Sequence, residues 1–376
     1  MEKKLKILTV VGTRPEIIRL SVILNKFDKY FDSFVINAFQ NFDENLNANI
    51  VKDLEIKGKI INLSHNHKLN HTEKLISIMS KTNKLIDQIK PDVFFVLGDT
   101  NSTLTAIIAK QKKIPIFHME AGNRCFDQIV PEEVNRKIVD HVSDINLTYS
   151  DISRQYLINE NFPVDQIIKI GSPLKEVFNF YRNKIEKSKI LDLLKLKKLN
   201  YFVLTFHRSE NIDSIINLKK IIKILFYLSK TFKKKIIIST HPRTKIALKL
   251  LNLNFEKNKQ ILFLPPMVYT DYIMLQKNSL ITISDSGSIN EEASIIGFKA
   301  INLRINHERP EAMEEASTIL SNLDLNNTVF AINKLLQENT VLKIVKDYDI
   351  DNVSEKVCNL VLSYYQYVNR KTWKKI

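Results

Sequence analysis

Asp99, Glu120, Glu132 and His207 each stand at or just after the end of an apolar run that reads as a buried strand. Any one of them alone fits a helix cap or a surface charge. Together they supply the acid and base groups needed to take a proton from carbon and return it on the other face. Carboxylates and imidazoles can be tuned for that chemistry in a dry site. The stretch HMEAGNRCFDQIVPEEVNR (118–136) concentrates the pattern: it holds Glu120, Asp127, Glu132 and Glu133 in a chain whose formal net charge is +15.

Two further stretches suit an anion. DSGSINEEAS (285–294) leads from an apolar run into a helical one through Ser286, Gly287 and Ser288. Free amides at a helix start bind phosphate, and glycine lets the backbone approach. The competing reading is an ordinary start, with Ser286 or Ser288 as N-cap and Glu291 completing a capping box. Glu292, one residue on, is placed to accept a ribose diol. GTRPE (12–16) lacks the GxGxxG dinucleotide fingerprint. It offers Gly12 for a tight turn, Arg14 as an anion ligand and Pro15 at a first helical position, or simply a strand-to-helix turn. SHNHKLNH groups His65, His67 and His71, but their spacing matches no standard zinc pattern, and a solvated loop is the better reading. Cys125 has no evident base partner and reads as packing rather than as a nucleophile.

These residues sit on a regular alternation. KILTVV (6–11), SFVINAF (33–39), DVFFVL (92–97), IPIFHM (114–119) and INLTYS (145–150) read as strands, with helical runs at 72–89 and 131–141. A second set follows: YFVLTF (201–206), KKIIIST (234–240), ILFLP (261–265), LITIS (280–284) and KAINLR (299–304). EKSKILDLLKLKKLN (186–200) reads as a helical bridge, and NVSEKVCNLVLSYYQYV as an amphipathic final helix. Continuous apolar strands between amphipathic helices predict parallel sheets covered on both faces. The fold class is therefore α/β, two Rossmann-like doubly wound domains. Ligands are expected beyond the carboxyl ends of the strands, in a cleft between the domains.

The bulk composition bounds the rest. A length of 376 residues suits two domains, and 44% hydrophobic residues suffice for their cores. No apolar run approaches the roughly 18 residues that span a bilayer. The N-terminal apolar run is only Ile7–Val11, so it reads as a first strand, not a signal peptide, and a cytoplasmic location is expected. Two cysteines exclude a disulfide scaffold. The lysines are scattered without interleaved aromatics, which argues against nucleic acid, and no membrane partner is expected.

GTRPEIIRL, GDTNST, HMEAGNR, PEEVNRK, TFHRSEN, DSGSINEEAS and HERPEAMEE occur in this order between about residues 5 and 317. In this the chain resembles the non-hydrolysing UDP-N-acetylglucosamine 2-epimerase family. The resemblance implies a glycosyltransferase-B type fold, with an N-terminal domain over 1–172, a UDP-binding domain over 173–354, and a helix over 355–376 that crosses back. It implies a homodimer that needs no nicotinamide, metal or other cofactor. The implied reaction inverts C2 of a UDP-2-acetamido sugar by anti elimination of UDP to a 2-acetamidoglycal, then syn re-addition. Asp99, Glu120 and Glu132 become the acid–base candidates, with His207 a further catalytic candidate. Arg14, Arg19, Arg136, His241, Ser286, Gly287, Ser288, Glu292 and Arg309 become the substrate and UDP ligands.

The chain departs from the family pattern at several points. Arg19 stands where Lys is frequent, and Ser288 replaces the second glycine of Ser-Gly-Gly. Asn41 replaces a His in a segment that in many bacterial members binds an activating UDP-GlcNAc. The shortened loop NRCFDQIV, with NLRINHERPEAMEE, resembles a branch that makes UDP-N-acetyl-L-fucosamine from a UDP-2-acetamido-2,6-dideoxy-L-talose precursor. A glycosyltransferase on the same fold is the alternative of another class.

Overall fold

The computed structural model describes residues 4–38, 50–64, 69–128, 130–240, 242–250, 258–306, 308–337 and 343–375. The chain divides into two units, Met1–Phe180 with Asp347–Ile376, and Tyr181–Lys346.

The first unit is built on seven strands: β1 (Lys6–Val11), β2 (Asp32–Asn37), β3 (Lys59–Asn62), β4 (Val93–Leu97), β5 (Ile116–Met119), β6 (Ile145–Thr148) and β7 (Ile167–Lys169). They run parallel in the order β3-β2-β1-β4-β5-β6-β7. Every residue of β4, β5 and β6 is buried. Helices cover both faces, so no alternation of polar residues is needed there. The chain leaves β1 outward through β2 and β3, then returns to place β4 on the other side of β1. Strand order therefore reverses between β1 and β4. In doubly wound sheets the loops leaving two such strands part at the carboxyl end, which is where ligands bind.

The second unit repeats the plan with six strands: β8 (Tyr201–Thr205), β9 (Lys235–Ser239), β10 (Ile261–Leu264), β11 (Ile281–Ser284), β12 (Ala300–Asn302) and β13 (Ile319–Leu320). Their order is β10-β9-β8-β11-β12-β13, again parallel, and it reverses between β8 and β11. Phe202, Leu204, Ile236, Ile238, Ile281, Ile283 and Ile301 form one core with the helix Ile215–Phe232.

The two doubly wound α/β units match the fold class read from the sequence. Three strands were not foreseen, β3, β7 and β13. All lie at sheet edges, are short, and carry partly exposed residues, so they lack the continuous apolar run that marks a central strand. The segment 186–200 is not one helix. A helix ends at Glu186, a four-residue helix covers Ile190–Leu193, and Lys195 and Leu199 take left-handed φ of 50° and 54°, which breaks a helical run. The final helix, Val353–Lys371, belongs to the first unit. Lys26 of the helix Arg14–Tyr30 pairs with Glu355 at 2.5 Å, Lys371 reaches Asp165 at 2.8 Å, and Ser354 N donates to Glu176 at 2.8 Å.

Candidate functional site

Of the residues singled out by type, Arg14, Asp99, His207 and Ser286 follow the strands where order reverses, while Glu120 and the helix that carries Glu132 follow β5, one strand further on. In the first unit, β1 runs into Gly12-Thr13 and the helix Arg14–Tyr30, with Pro15 in its first turn. Thr13 makes no side-chain cap. Instead Glu16 folds back, accepting Gly12 N at 2.7 Å and the Thr13 hydroxyl at 2.9 Å. Burial raises the Glu16 carboxyl to about 7; the nearby Asp99 charge adds to this, and hydrogen bonds from Gly12, Thr100 and Thr13 oppose it. Arg14 opens the helix half-buried, and burial lowers its guanidinium from the ordinary value against the opposing charge of Asp53. Arg19, one turn on, is buried. Its Nε lies 3.8 Å from Glu120 Oε2, and its guanidinium lies 5.8 Å from the centre of the Tyr149 ring.

Asp99 follows β4 and Glu120 follows β5. Neighbouring strands lie about 4.8 Å apart, so the ends of β1, β4 and β5 bring Glu16, Arg19, Asp99 and Glu120 to adjacent places. Asp99 Oδ2 accepts both Arg136 Nε at 2.9 Å and Nη2 at 2.6 Å, and its carbonyl accepts Asn135 Nδ2 at 2.9 Å. Asn135 and Arg136 lie on the helix Pro131–Val142, so that helix is tied directly to the Asp99 loop. Glu120 sits at φ +70°. A non-glycine residue in that region costs about 1–3 kcal/mol and is held only by its surroundings. Here Glu120 N donates to Leu147 O at 3.0 Å and Asn123 Nδ2 reaches Glu120 Oε1 at 3.3 Å.

Beneath Glu120 lies a buried ionic network. Arg124 donates to Asp140 at 2.7 Å and to Glu160 at 2.8 and 2.6 Å, while His118 Nδ1 lies 2.9 Å from Asp140. Burial alone raises the Asp140 carboxyl, but His118 and then Arg124 outweigh it, and the net shift is downward. The Arg of HMEAGNR is thus a brace for the turn that carries Glu120.

Glu132 and Glu133 occupy the first turn of the helix Pro131–Val142, where the peptide dipoles favour a carboxylate. They behave differently. Glu132 is half-buried, whereas Glu133 is fully buried and accepts Cys125 N at 3.0 Å, Cys125 Sγ at 3.2 Å, Phe126 N at 3.2 Å and Arg136 Nη1 at 3.0 Å. Burial pushes the Cys125 thiol up, and donation to Glu133 adds to it, consistent with packing rather than nucleophilic chemistry.

In the second unit the reversal point joins the ends of β8 and β11. Asp285 is fully buried and accepts His207 N and Arg208 N at 3.1 Å and Asn211 Nδ2 at 2.9 Å, so it fixes the loop that presents His207. The His207 side chain is 46% exposed, which leaves it accessible to a ligand. Ser288 is the N-cap of the helix Ile289–Ile296 but makes no side-chain cap. Its hydroxyl donates to Glu292 at 2.7 Å, and Gln276 Nε2 donates to the other Glu292 oxygen at 2.8 Å. Glu291 is buried, 3.7 Å from Arg309 Nη2. The capping-box alternative is therefore not formed. Ser286 N bonds Ser284 Oγ at 3.0 Å and the Ser286 and Ser288 hydroxyls lie 3.0 Å apart, so Ser286-Gly287-Ser288 is a half-buried polar turn beside Glu308, Arg208 and Arg304.

Arg309 is buried, its guanidinium between Glu291 and Glu311. It braces the helix that follows the turn. His241, Asn41, His65 and His67 lie outside the described residues. His71 begins the helix His71–Ile89, and among the described residues no three His, Cys, Asp or Glu side chains gather into a possible metal site. Among the described residues no helix is long and apolar enough to cross a membrane.

Sequence reasoning passed over Glu16, Glu133, Arg208, Asp285 and Glu308. Thr13-x-x-Glu16 is the spacing of a capping box and could have pointed to Glu16. Glu133 shares a helix face with Arg136 and Asp140 at the 3- and 7-residue steps, which distinguishes it from Glu132. Arg208 donates to Glu308 at 3.2 Å over Gly287, a contact 100 residues apart that no local pattern announces.

A sequence model of the UDP-N-acetylglucosamine 2-epimerase family matches residues 25–362. The UDP-N-acetylglucosamine 2-epimerase of Methanocaldococcus jannaschii is 33% identical over 341 residues, which cover 89% of this chain and 93% of that protein. The structure of a UDP-N-acetylglucosamine 2-epimerase from Rickettsia bellii superposes with a TM-score of 0.91 at 41% identity, covering 99% of this chain and 100% of that one. A crystal structure of the M. jannaschii enzyme in complex with UDP-GlcNAc and UDP gives 0.87 at 32% identity over 96% of this chain and 100% of that one. With most of its length matched in sequence and in structure, the chain belongs to the UDP-N-acetylglucosamine 2-epimerase family of isomerases.

Proposed function

We propose that the protein is a non-hydrolysing C2 epimerase that interconverts UDP-GlcNAc and UDP-ManNAc by anti elimination of UDP and syn re-addition through a 2-acetamidoglycal. The observation that carries this reading is the first reversal point. There Asp99 and Glu120, on adjacent strand ends, each face a buried arginine, Arg136 and Arg19. Carboxylates held in fixed orientation suit removal of the weakly acidic C2 proton and its return to the opposite face. Glu132, at the start of the helix tied to Asp99, completes the acid–base set.

Departure of UDP needs charge stabilisation that grows as the C1–O bond breaks. Ser286, Gly287 and Ser288 at the start of the helix Ile289–Ile296 suit a phosphate, and Glu292 suits the ribose hydroxyls. In the second unit His207, beside the Asp285 anchor, would answer the diphosphate charge; in the first unit Arg14 and Arg19 are the cations offered to the anionic substrate. Arg136 and Arg309 are engaged by carboxylates and serve to hold those groups in place. The glycal must stay bound and dry between the two half-reactions.

A second reading concerns the sugar. The loop 123–128 is fastened to the helix that carries Glu132, so its shape bears directly on the acid–base set. That favours weighing UDP-2-acetamido-2,6-dideoxy-L-talose as substrate, with UDP-N-acetyl-L-fucosamine as product. The test is NMR on the protein with each UDP-sugar alone in heavy water. Epimerisation with deuterium at C2 and no acceptor is the expected result. Turnover without deuterium removes the elimination route, and turnover only with an added acceptor identifies a glycosyltransferase.

A further inference from the structure

We propose that Glu133 is a positioning residue that couples the loop 123–128 to Asp99 through Arg136. The inference rests on the epimerase reading of Asp99 and adds a residue which that reading does not use.

The first half of the loop is anchored independently: Asn123 Oδ1 accepts Ser153 Oγ at 3.0 Å, and Arg124 enters the Asp140–Glu160 network. The second half hangs from Glu133. Two successive backbone amides, Cys125 N and Phe126 N, donate to its two carboxylate oxygens, one each. Phe126 takes φ +57° and is 65% exposed. Its ring lies edge-to-face on Tyr156, centroids 5.3 Å apart, and a non-glycine residue seldom adopts that backbone region; the ring contact fixes the side chain, and the carboxylate holds the backbone through the Phe126 amide. The same Oε2 that accepts Cys125 N also accepts Arg136 Nη1, while the remaining face of that guanidinium donates twice to Asp99 Oδ2. A planar guanidinium cannot turn toward one carboxylate without turning away from the other. A change in how the loop hangs is therefore transmitted to the orientation of Asp99, and the two carboxylates on either side of Arg136 act as one unit. In the epimerase reading this joins the loop that varies with the sugar to a carboxylate that moves the proton.

The experiment compares the parent, Glu133→Gln, Arg136→Lys and the double variant. It measures kcat and KM for C2 epimerisation of the UDP-sugar that the parent turns over, and hydrogen exchange of the 120–130 peptide by mass spectrometry. The expected loss in kcat for Glu133→Gln is about a hundredfold, the scale of a catalytic group displaced by roughly 1 Å, with KM within about threefold. The double variant should be no slower than the worse single variant, because both act on one group. Loop amides should exchange faster in Arg136→Lys as well, although Arg136 donates to neither of them. Unchanged kcat in Glu133→Gln, losses that multiply in the double variant, or loop exchange unaffected by Arg136→Lys each overturns the coupling. If Glu133→Gln does not fold, the exchange and kcat of Arg136→Lys decide alone. A parent that epimerises no UDP-sugar overturns the functional reading, while the exchange experiment still judges the coupling.

Discussion

The two units share a plan and spend their reversal points differently. Between β1 and β4 the first unit gathers charged pairs: Arg136 with Asp99 and Glu133, Arg19 near Glu120, and Glu16 buried beside Asp99. Between β8 and β11 the second unit presents hydroxyls, a glycine and the start of a helix, with its charged pairs, Arg208 and Arg304 with Glu308 and Arg309 near Glu291, set around that turn. Asp285 holds a loop and Glu292 is shared by Ser288 and Gln276. In the proposed reading, one scaffold geometry yields a place where protons can move and a place where an anion can rest. The distinction arises from the residues after each strand rather than from the sheets.

The sharpest way to break this contrast is to neutralise the first unit's carboxylates. Asp99→Asn, Glu120→Gln and Glu132→Gln should each lower kcat by about a thousandfold, within the range of lost acid–base catalysis, while UDP binding measured by calorimetry stays within about threefold. Near-parental turnover in all three, or loss of UDP binding in step with turnover, would erase the division of labour.

Next in size is a pH effect confined to the first unit. Glu16 is raised to about 7 from its ordinary 4.5. The folded state therefore holds its proton more tightly than the unfolded state, so the stabilisation is present at low pH. It is lost as pH rises from about 4.5 through 7. Two to three pKa units correspond to about 3 kcal/mol at the upper end. Denaturant unfolding should show the parent losing stability relative to Glu16→Gln between pH 5 and pH 8. A constant difference across that range would remove Glu16 from the proton-bearing cluster.

Much of this contrast could be read in the sequence, and what could not has a common cause. The central strands, the helix at 131–142 and the strand-end positions of Asp99, Glu120, His207 and Ser286 follow from apolar runs and the punctuation after them. Those signals are local. Edge strands β3, β7 and β13 were missed because a half-solvated edge needs no apolar run. The carboxylate partners of Arg136 and Arg309 were not legible, because an arginine in a motif looks alike whether it faces a phosphate or a buried carboxylate. Only partners from distant segments, Asp99 for the first and Glu291 for the second, distinguish the two. Glu133 differs in this respect: its 3- and 7-residue steps to Arg136 and Asp140 mark one helix face, and burial sets it apart from Glu132.

In the second unit, Asp285 sharpens the comparison by being a carboxylate without proposed chemistry. Asp285→Asn replaces one acceptor oxygen by a donor, and in either orientation of the amide that donor faces the His207 N–H. A buried donor left without an acceptor costs about 1–3 kcal/mol. Stability should fall by about that amount and UDP affinity should weaken as the His207 loop loosens. A variant with parental stability and UDP affinity would show that the loop is held by other means.

The smallest effect is expected at Gly287. A Cβ built there would lie 2.6 Å from Glu308 Oε1, 3.5 Å from Arg208 Nη2 and 3.6 Å from Arg304 Nη1. The close contact is the far end of a side chain, so Glu308 must shift while the backbone can remain. Glu308 accepts from Arg208 and Arg304, and its displacement moves both cations beside the turn proposed to hold a phosphate. Gly287→Ala should therefore weaken UDP by about tenfold, equivalent to about 1.4 kcal/mol, and leave kcat at saturating substrate within about twofold. Adding Glu308→Asp, which withdraws the carboxylate by one methylene, should restore part of the affinity. A kcat that collapses while UDP binds normally would place proton chemistry in the second unit and dissolve the contrast between the two reversal points.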